Sequence, residues 1–145
     1  MRAVVQRVLR ASVSVEQKIV GSCSQGWFIL LGVKHTDSEK DVVVLSKKIV
    51  ALRAFSDEND KMNLDIRAIK GSILVVSQFT LYGDLTRGNR PGFANAAKPE
   101  QAIILYERFV KSLQSEGIPV ETGVFGANMQ IQTHCDGPVT FILET

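Results

Sequence analysis

The sequence SILVVSQFTLY, Ser72 to Tyr82, joins an apolar strand to a polar end. The residues from Ile73 to Val76 are apolar at every position, which predicts a strand covered on both faces. Ser77, Gln78 and Thr80 follow and place three hydrogen-bonding side chains where this strand leaves the core. Because functional groups are often found where a rigid strand meets a loop, we expect the site here. The alternative is that these polar groups only satisfy the strand end.

The bulk properties of the chain fit a small globular protein. Its 145 residues suit a single domain spanning 1–145. The longest apolar run, Trp27 to Val33, is too short to cross a membrane. The charged N-terminal sequence MRAVVQRVLR is not a secretory signal. The cysteines, Cys23 and Cys135, indicate no disulfide framework, so we expect a cytoplasmic protein.

A net charge of +2 argues against a broad electrostatic grip on nucleic acid, and we expect no DNA partner. The residues from Gly83 to Lys98 are nevertheless locally basic, and their glycines and Pro91 predict a loop. This basic loop contains one acidic residue, Asp84, and three basic ones, Arg87, Arg90 and Lys98. The loop is either simply solvated or contacts phosphate groups of an RNA beside the site.

Two helices are predicted from periodicity and end signals. Thr36 and Glu39 have the spacing of a capping box, ahead of a helix over 38–52. Pro99 and Gly117 bracket the second helix. Its apolar stripe indicates core packing and consists of Ala102, Ile103, Tyr106, Phe109, Val110 and Leu113.

Alternation of apolar and polar residues predicts the strands. Strands over 127–133 and 139–143 flank the segment Cys135-Asp136-Gly137-Pro138 and are expected to form a hairpin. The strand at 3–15 also alternates, a short strand is expected at 18–20, and continuous apolar residues predict buried strands at 27–33 and in the first part of 72–82. Without regular βαβ alternation, the fold class is α+β, with a mostly antiparallel sheet or partial β-barrel flanked by two main helices.

Arg7 is an exception within the first predicted strand, because it occupies the inward phase that is otherwise apolar. A buried guanidinium needs fixed acceptors. One interpretation is that a bulge or strand end lets Arg7 reach solvent. The functional interpretation is that Arg7 holds a carbonyl or carboxylate near the site.

The inventory of standard catalytic groups is thin. His134 and Cys135 are adjacent, so on a strand they point to opposite faces and cannot form a nucleophile and base. Cys23, His35, His134 and Cys135 lack the paired spacing of zinc ligands, and no glycine-rich phosphate loop is present. We therefore expect neither metal nor cofactor. Main-chain N–H groups at the strand end can stabilise an oxyanion, and one such donor is worth ~3 kcal/mol.

Two motifs are highly specific: SQFTLY, Ser77 to Tyr82, and DGPVT, Asp136 to Thr140. Others are MRAVVQRV at the start, Lys61-Met62-Asn63, the loop from Gly88 to Phe93, and FGANMQ from Phe125 to Gln130. Through them the whole chain resembles the D-aminoacyl-tRNA deacylase (D-tyrosyl-tRNA deacylase) family. Two positions depart from its pattern, since Cys135 replaces an Asn and Gly92 a small hydroxyl residue.

The resemblance implies an enzyme that hydrolyses the ester between a D-amino acid, or glycine, and the terminal adenosine of tRNA. It also implies a homodimer in which a cis Gly137–Pro138 peptide reaches the partner's pocket. An L-amino acid would clash with that rigid main chain, whereas a D-residue presents only hydrogen, so chirality is selected by rejection.

The resemblance further implies roles for individual residues. Water attacks the ester while N–H groups around Phe79 and Thr80 hold the oxyanion, Ser77 and Gln78 shape the pocket, and the ribose 2′-hydroxyl assists. Covalent attack by Thr80 is the rival mechanism. The set implied in substrate binding and chiral selection is Gly137, Pro138, Arg7, Phe125, Ala127 and Met129. Independently of the resemblance, the phosphate-contacting interpretation of the basic loop assigns tRNA contact to Arg87, Arg90 and Lys98.

Two other classes of function are compatible with the residues alone. A non-catalytic module would bind RNA ends through the basic loop and the strand-end pocket, without turnover. A serine or threonine hydrolase of small esters or peptides would act without tRNA, but the lack of a usable histidine base counts against it.

Overall fold

The computed structural model describes all 145 residues and contains eight strands, two α-helices and one 3₁₀ helix. The helices are α1 (Glu39–Val50), α2 (Pro99–Gln114) and the 3₁₀ helix (Phe79–Tyr82). The strands are β1 (Arg2–Val15), β2 (Lys18–Cys23), β3 (Gly26–Gly32), β4 (Phe55–Ser56), β5 (Met62–Leu64), β6 (Ser72–Ser77), β7 (Val120–Thr122) and β8 (Gln130–Glu144). Neither helix has the length and apolar character needed to cross a membrane.

β1 is the central strand of the large sheet. Along one edge it pairs antiparallel with β2 and then β3, and along the other it pairs antiparallel with β8. β6 lies parallel to β3, and β7 lies parallel to β6. The sheet curls until the Ser22 N–H of β2 donates to the Glu121 carboxylate of β7 at 2.7 Å. A side chain at Gly21 would meet the Thr122 carbonyl oxygen at 2.3 Å, so glycine permits this near closure of the barrel.

The predicted α+β architecture, a partial barrel flanked by two main helices, is confirmed. The large sheet is mixed, with three antiparallel and two parallel strand pairs. The strand predicted to be covered on both faces is confirmed too, because each residue from Ile73 to Val76 is at most 1% exposed. One face of the sheet packs around Trp27 and Phe109, and the opposite face packs around Phe28 and Leu74.

The side-chain alternation predicted for β1 slips near its middle. Regular alternation would point Leu9 inward, but it is 46% exposed, whereas Arg7 and Val8 are both buried. The cause is a pair of register shifts between β1 and β8, one on each side of Val8. A bulge of this kind changes which face the following residues occupy.

The capping box of α1 lies two residues later than predicted. Its members are Ser38 and Asp41, whose carboxylate accepts both the N–H and the hydroxyl of Ser38 at 2.8 Å. The predicted pair of Thr36 and Glu39 is wrong because Asp37 closes a tight turn first. The Asp37 carboxylate accepts the N–H of Lys34 at 2.5 Å and binds the Met1 ammonium at 2.7 Å.

The predicted stripe of α2 is wrong at Ile103, which is 36% exposed, and it omitted Leu105, which is buried. At the start of α2, Ile103 lines one open cavity, whereas Ala102 lines another and also packs against the core.

The predicted C-terminal hairpin is wrong. Residues 130–144 form one strand, β8, which runs antiparallel along β1 and takes the whole free edge of that strand. Val8 pairs with Cys135 and Gln6 with Thr140, so residues 136–139 bulge out opposite Arg7. We call residues 136–139 the Gly-Pro bulge. A sheet edge as long as β1 can pair the entire segment, and that pairing overrides the local turn signal.

Candidate functional site

A cavity of about 660 Å³ lies where β3 and β6 end. Because these strands are parallel, their carboxyl ends meet at the same edge of the sheet, which is a common place for ligand sites. The cavity brings together Ser77, Gln78 and Phe79 with Phe125, Ala127 and Met129. It is also lined by Leu31, Val33, Lys98, Ala102, Tyr106 and Ile131.

The strand end predicted as the site leads directly into the 3₁₀ helix. Ser77 pairs with Leu31 of β3, and the Gln78 N–H donates to the Leu31 carbonyl at 2.8 Å. Phe79 and Thr80 are the first two residues of the helix, and their N–H groups have no acceptor within the chain. Free N–H groups at the start of a helix can bind a negatively charged oxygen.

Thr80 does not line the cavity. Its exposed hydroxyl accepts a hydrogen bond from the side-chain amide of Gln78. This bond fixes the Gln78 side chain beside the first N–H groups of the 3₁₀ helix. No imidazole lines the cavity, so the hydroxyl lacks the base that an activated nucleophile needs.

Arg2 anchors the far end of the 3₁₀ helix. Its guanidinium donates to the Leu81 carbonyl, lies 5.0 Å over the ring of Tyr82 and pairs with Glu144 of β8. Burial of Tyr82 raises the pKa of its phenol to about 12, so the ring remains neutral beside the cation. No sequence pattern indicated this role, because Arg2 occupies the outward phase of β1.

The wall of the cavity opposite β6 comes from α2 and from the connection between β7 and β8. The Tyr106 hydroxyl donates to the Val75 carbonyl at 2.9 Å, and its ring centre lies 5.8 Å from that of Phe125. Burial raises the pKa of Tyr106. A side chain at Gly123 would come within 2.5 Å of the Met129 sulfur. Tyr106 was predicted only as core, although a buried phenol among aliphatic residues signals a need for a polar partner.

The three cations proposed for RNA contact are not all at the cavity. Lys98 lines it and is the residue that precedes α2. Arg87 and Arg90 are exposed farther along the basic loop and form no ion pair within the chain. The loop is folded back on itself by two backbone hydrogen bonds of 2.8 Å between Asp84 and Gly92.

Arg7 is buried and does not reach solvent, with only 8% of its surface exposed. It donates to the Ala54 carbonyl at 2.7 Å and contacts Asp136 twice, at 3.3 Å to the carbonyl and 3.0 Å to the carboxylate. The Gly137–Pro138 peptide is cis, as expected, and both residues are exposed. Arg7 therefore holds the base of the Gly-Pro bulge.

The Gly-Pro bulge lies away from the cavity of its own chain. Arg7 pairs with Trp27 at the start of β3, whereas Leu31 lines the cavity at the end of that strand. The separation along β3 is four residues, or about 13 Å. The structure thus brings Arg7, Gly137 and Pro138 together as one group and places Ser77, Gln78 and Phe79 in another.

No three histidine, cysteine, aspartate or glutamate side chains lie close enough to hold a metal ion. The four residues considered as zinc ligands are not grouped, because Cys23 is buried in the sheet and Cys135 is exposed on β8.

Comparison with known proteins gives a consistent assignment. The family model described as D-Tyr-tRNA(Tyr) deacylase matches residues 4–144. The D-aminoacyl-tRNA deacylases of Clostridioides difficile (strain 630) and Bacillus pumilus (strain SAFR-032) are each 52% identical over the whole of this chain and cover 97% and 99% of their own lengths. The solved structure of a c-Myc DNA Unwinding Element Binding Protein is 40% identical, with a TM-score of 0.95 over 100% of this chain and 99% of its own. A probable eukaryotic D-amino acid tRNA deacylase, 15% identical, shares the fold with a TM-score of 0.88 over 99% of this chain and 98% of its own.

Proposed function

The chain belongs to the D-Tyr-tRNA(Tyr) deacylase family, and from this premise we propose that it hydrolyses D-aminoacyl-tRNA in the cavity at the end of β6. The substrate is the ester between a D-amino acid and the terminal adenosine of tRNA. The observation that carries the assignment of the site is the unpartnered N–H group of Phe79, a residue that lines the cavity, followed by the unpartnered N–H group of Thr80, the next residue of the 3₁₀ helix. The products are a free D-amino acid and tRNA.

The main-chain N–H groups of Phe79 and Thr80 stabilise the charge that develops on the ester oxygen. Water adds to the carbonyl carbon, the bond to the ribose oxygen then breaks, and a proton passes to that leaving oxygen. Each well-placed donor is worth ~3 kcal/mol of transition-state stabilisation. Because an aminoacyl ester is already reactive and the neighbouring 2′-hydroxyl of the ribose assists, no protein nucleophile is required.

The apolar wall of the cavity suits the terminal adenosine. Phe125, Ala127 and Met129 offer apolar surface to the flat base. Lys98 provides the cation nearest to the cavity for the phosphate of that nucleotide. Arg87 and Arg90 contact the RNA farther from the ester.

We assign the rejection of L-amino acids to the Gly-Pro bulge of a second copy of the chain. Gly137 and Pro138 are exposed, and Arg7 holds the adjacent Asp136 in place. They lie about 13 Å along β3 from the cavity of their own chain. A homodimer would insert them into the cavity of the partner. There a rigid main chain excludes an L side chain but passes the hydrogen of a D-residue, so glycine is cleaved as well.

Water is favoured over Thr80 as the attacking group. The Thr80 hydroxyl is exposed, accepts a hydrogen bond from Gln78 and lies outside the cavity wall. The Thr80→Ala variant should therefore retain most of its deacylase activity. An acyl group trapped on Thr80 would reverse this choice. Thr86→Ala, at another exposed threonine, is the matched control.

The decisive experiment incubates the purified protein with D-Tyr-tRNA, L-Tyr-tRNA and Gly-tRNA and measures the release of the amino acid. We expect rapid release of D-tyrosine and glycine and slow release of L-tyrosine. Equal release of both enantiomers would refute the shape-based selection. Binding of D-Tyr-tRNA without release would support the alternative of a non-catalytic RNA-binding module.

The natural partner is tRNA in the cytoplasm. The name of one structural relative refers to a DNA element. Competition between duplex DNA and D-Tyr-tRNA therefore tests whether this chain binds DNA at the same surface. A net charge of +2 gives the chain little general affinity for a duplex. An excess of duplex DNA should therefore leave the deacylation of D-Tyr-tRNA unchanged, whereas inhibition would indicate a shared surface.

A further inference from the structure

Two phenylalanine rings lie exposed at the mouth of the cavity. Phe79 is 58% exposed and Phe93 is 37% exposed, and both line the cavity. Their ring centres are 4.9 Å apart and the rings are inclined at 64°. Large aromatic side chains exposed as a pair beside a cavity indicate a ligand that covers them.

The pair is fixed by the surrounding backbone. Phe93 comes from the basic loop, in which the backbone of Asp84 pairs with that of Gly92. The end of the loop is joined to the residue that follows β3 by the hydrogen bond from the Ala97 N–H to the Val33 carbonyl at 2.9 Å. The Phe93 ring lies close to Gly83, where a side chain would come within 3.3 Å of it. The absence of a side chain at Gly83 therefore makes room for the ring.

The surroundings of the pair carry positive charge. Arg87 and Arg90 lie in the same loop as Phe93 and form no ion pair within the chain, and Lys98 lines the cavity. Exposed aromatic rings beside free cations are the combination by which proteins bind single-stranded RNA. The rings stack on bases and the cations follow the phosphates.

We propose that the Phe79–Phe93 pair stacks the base of the nucleotide that precedes the terminal adenosine of tRNA, while Arg87 and Arg90 contact the phosphates of that strand. This inference rests on the proposed function, which puts the terminal adenosine in the cavity. The covalent continuity of the RNA then brings the preceding nucleotide to the mouth of the cavity, where the two rings lie.

The spacing of the rings determines how the base binds. A base held between two parallel rings would need them about 7 Å apart, twice the stacking interval of ~3.4 Å. At 4.9 Å and 64° the pair has no such slot. The base therefore stacks on the outer face of Phe79, the more exposed ring, and Phe93 supports that ring from behind.

The rival occupant is the side chain of the amino acid, because a D-tyrosine ring could also lie on Phe79. The free arginines favour RNA, since a tyrosine side chain carries no charge for them to neutralise. The two occupants are separable, because one depends on the RNA beyond the terminal adenosine and the other depends on the identity of the amino acid.

The test compares the wild type with Phe93→Ala on three substrates: D-Tyr-tRNA, D-Ala-tRNA and the 3′-ester of D-tyrosine with adenosine. Removing the ring that supports Phe79 should loosen the stacked base and lower kcat/KM on both tRNA substrates about tenfold relative to the adenosine ester. Phe93→Trp should restore the ratio. Leu85→Ala, at an apolar residue of the same loop that is 59% exposed, is the matched control and should not change it.

Several outcomes would overturn the inference. Equal losses on the tRNA and on the adenosine ester would mean that Phe93 acts on the shared reaction site. A loss on D-Tyr-tRNA that is absent from D-Ala-tRNA would assign the rings to the amino acid. An unchanged ratio would show that the Phe79–Phe93 pair does not hold a base.

A binding measurement separates this inference from the proposed function. By fluorescence anisotropy, Phe93→Ala should bind uncharged tRNA about tenfold more weakly than the wild type, whether or not the protein hydrolyses any ester. Equal affinities would overturn the inference, whereas a wild type that binds tRNA normally but releases no D-tyrosine would refute only the proposed function.

Discussion

The Arg7→Met variant tests whether one buried cation holds the Gly-Pro bulge. Methionine keeps most of the length of the side chain and removes the guanidinium. The lost contacts are those to the Ala54 carbonyl at 2.7 Å and to Asp136 at 3.3 and 3.0 Å. A hydrogen bond between a charged group and a buried acceptor contributes ~1.5–3 kcal/mol. The ion pair adds at most ~1 kcal/mol, because the Asp136 side chain is 34% exposed and water screens it.

The free energy of unfolding should therefore fall by ~2–4 kcal/mol in the variant. Trp27, the only tryptophan of the chain, is fully buried and pairs with Arg7 across β1 and β3, so its fluorescence reports on this region during urea unfolding. The matched control is Arg10→Met, which changes an exposed arginine of the same strand. Its effect should stay within ~0.5 kcal/mol.

The same variant should lose chiral discrimination. With the base of the Gly-Pro bulge released, Gly137 and Pro138 can yield to an L side chain. The ratio of kcat/KM for D-Tyr-tRNA to that for L-Tyr-tRNA should fall at least ~10-fold, which corresponds to ~1.4 kcal/mol. If Arg7→Met kept the discrimination of Arg10→Met, or unfolded at the same urea concentration, the assignment of Arg7 as the anchor would be wrong.

A core hydroxyl, the two thiols and one carboxylate of α1 give further measurable expectations. Tyr106→Phe removes one of the two hydrogen bonds to the buried Val75 carbonyl, which keeps the Gly123 N–H as a donor at 3.1 Å. The free energy of unfolding should fall by ~0.5–1.5 kcal/mol, and an unchanged urea midpoint would contradict this. Burial raises the pKa of the Cys23 thiol to about 11, so an alkylating reagent at about pH 8 should modify only the exposed Cys135 in the folded protein and both thiols in urea; similar rates in the folded protein would exclude this burial. Hydrogen bonds from the N-cap residue Ser38 lower the pKa of Asp41. The Asp41 carboxylate therefore stabilises the folded state fully above the unfolded pKa of about 4, and this contribution is lost as pH falls through the lower folded pKa. Asp41→Asn should therefore weaken the acid dependence of thermal stability below about pH 4, and identical acid profiles would exclude that role.

The local part of the fold follows from the sequence. The apolar run from Ile73 to Val76 requires a strand covered on both faces, and the structure has one. Of the polar residues that follow, Ser77 and Gln78 line the cavity at the end of the strand, whereas Thr80 does not. Arg7 is informative for the same reason, since an inward guanidinium needs acceptors, and the structure supplies Ala54 and Asp136.

The parts that the sequence did not reveal depend on distant partners. The segment Asp136-Gly137-Pro138 gives the same turn signal in a hairpin and in a bulge. The difference is decided by the free edge of β1, which pairs with all of β8. The contact of Arg2 with the Leu81 carbonyl is equally non-local, because it exists only when the first and sixth strands have folded.

The topology of the sheet also accounts for the small number of catalytic side chains that the proposed function requires. Parallel pairing of β3 and β6 brings the carboxyl ends of both strands to one cavity, and the 3₁₀ helix then presents its first N–H groups beside that cavity. Antiparallel pairing of β8 along β1 carries Gly137 and Pro138 to the opposite end of β3. Under the proposed function, main-chain groups therefore both stabilise the transition state and exclude L-amino acids. The hydrogen bonds of the sheet position such main-chain groups. A change in strand register would therefore move these groups more than the exchange of a single side chain would.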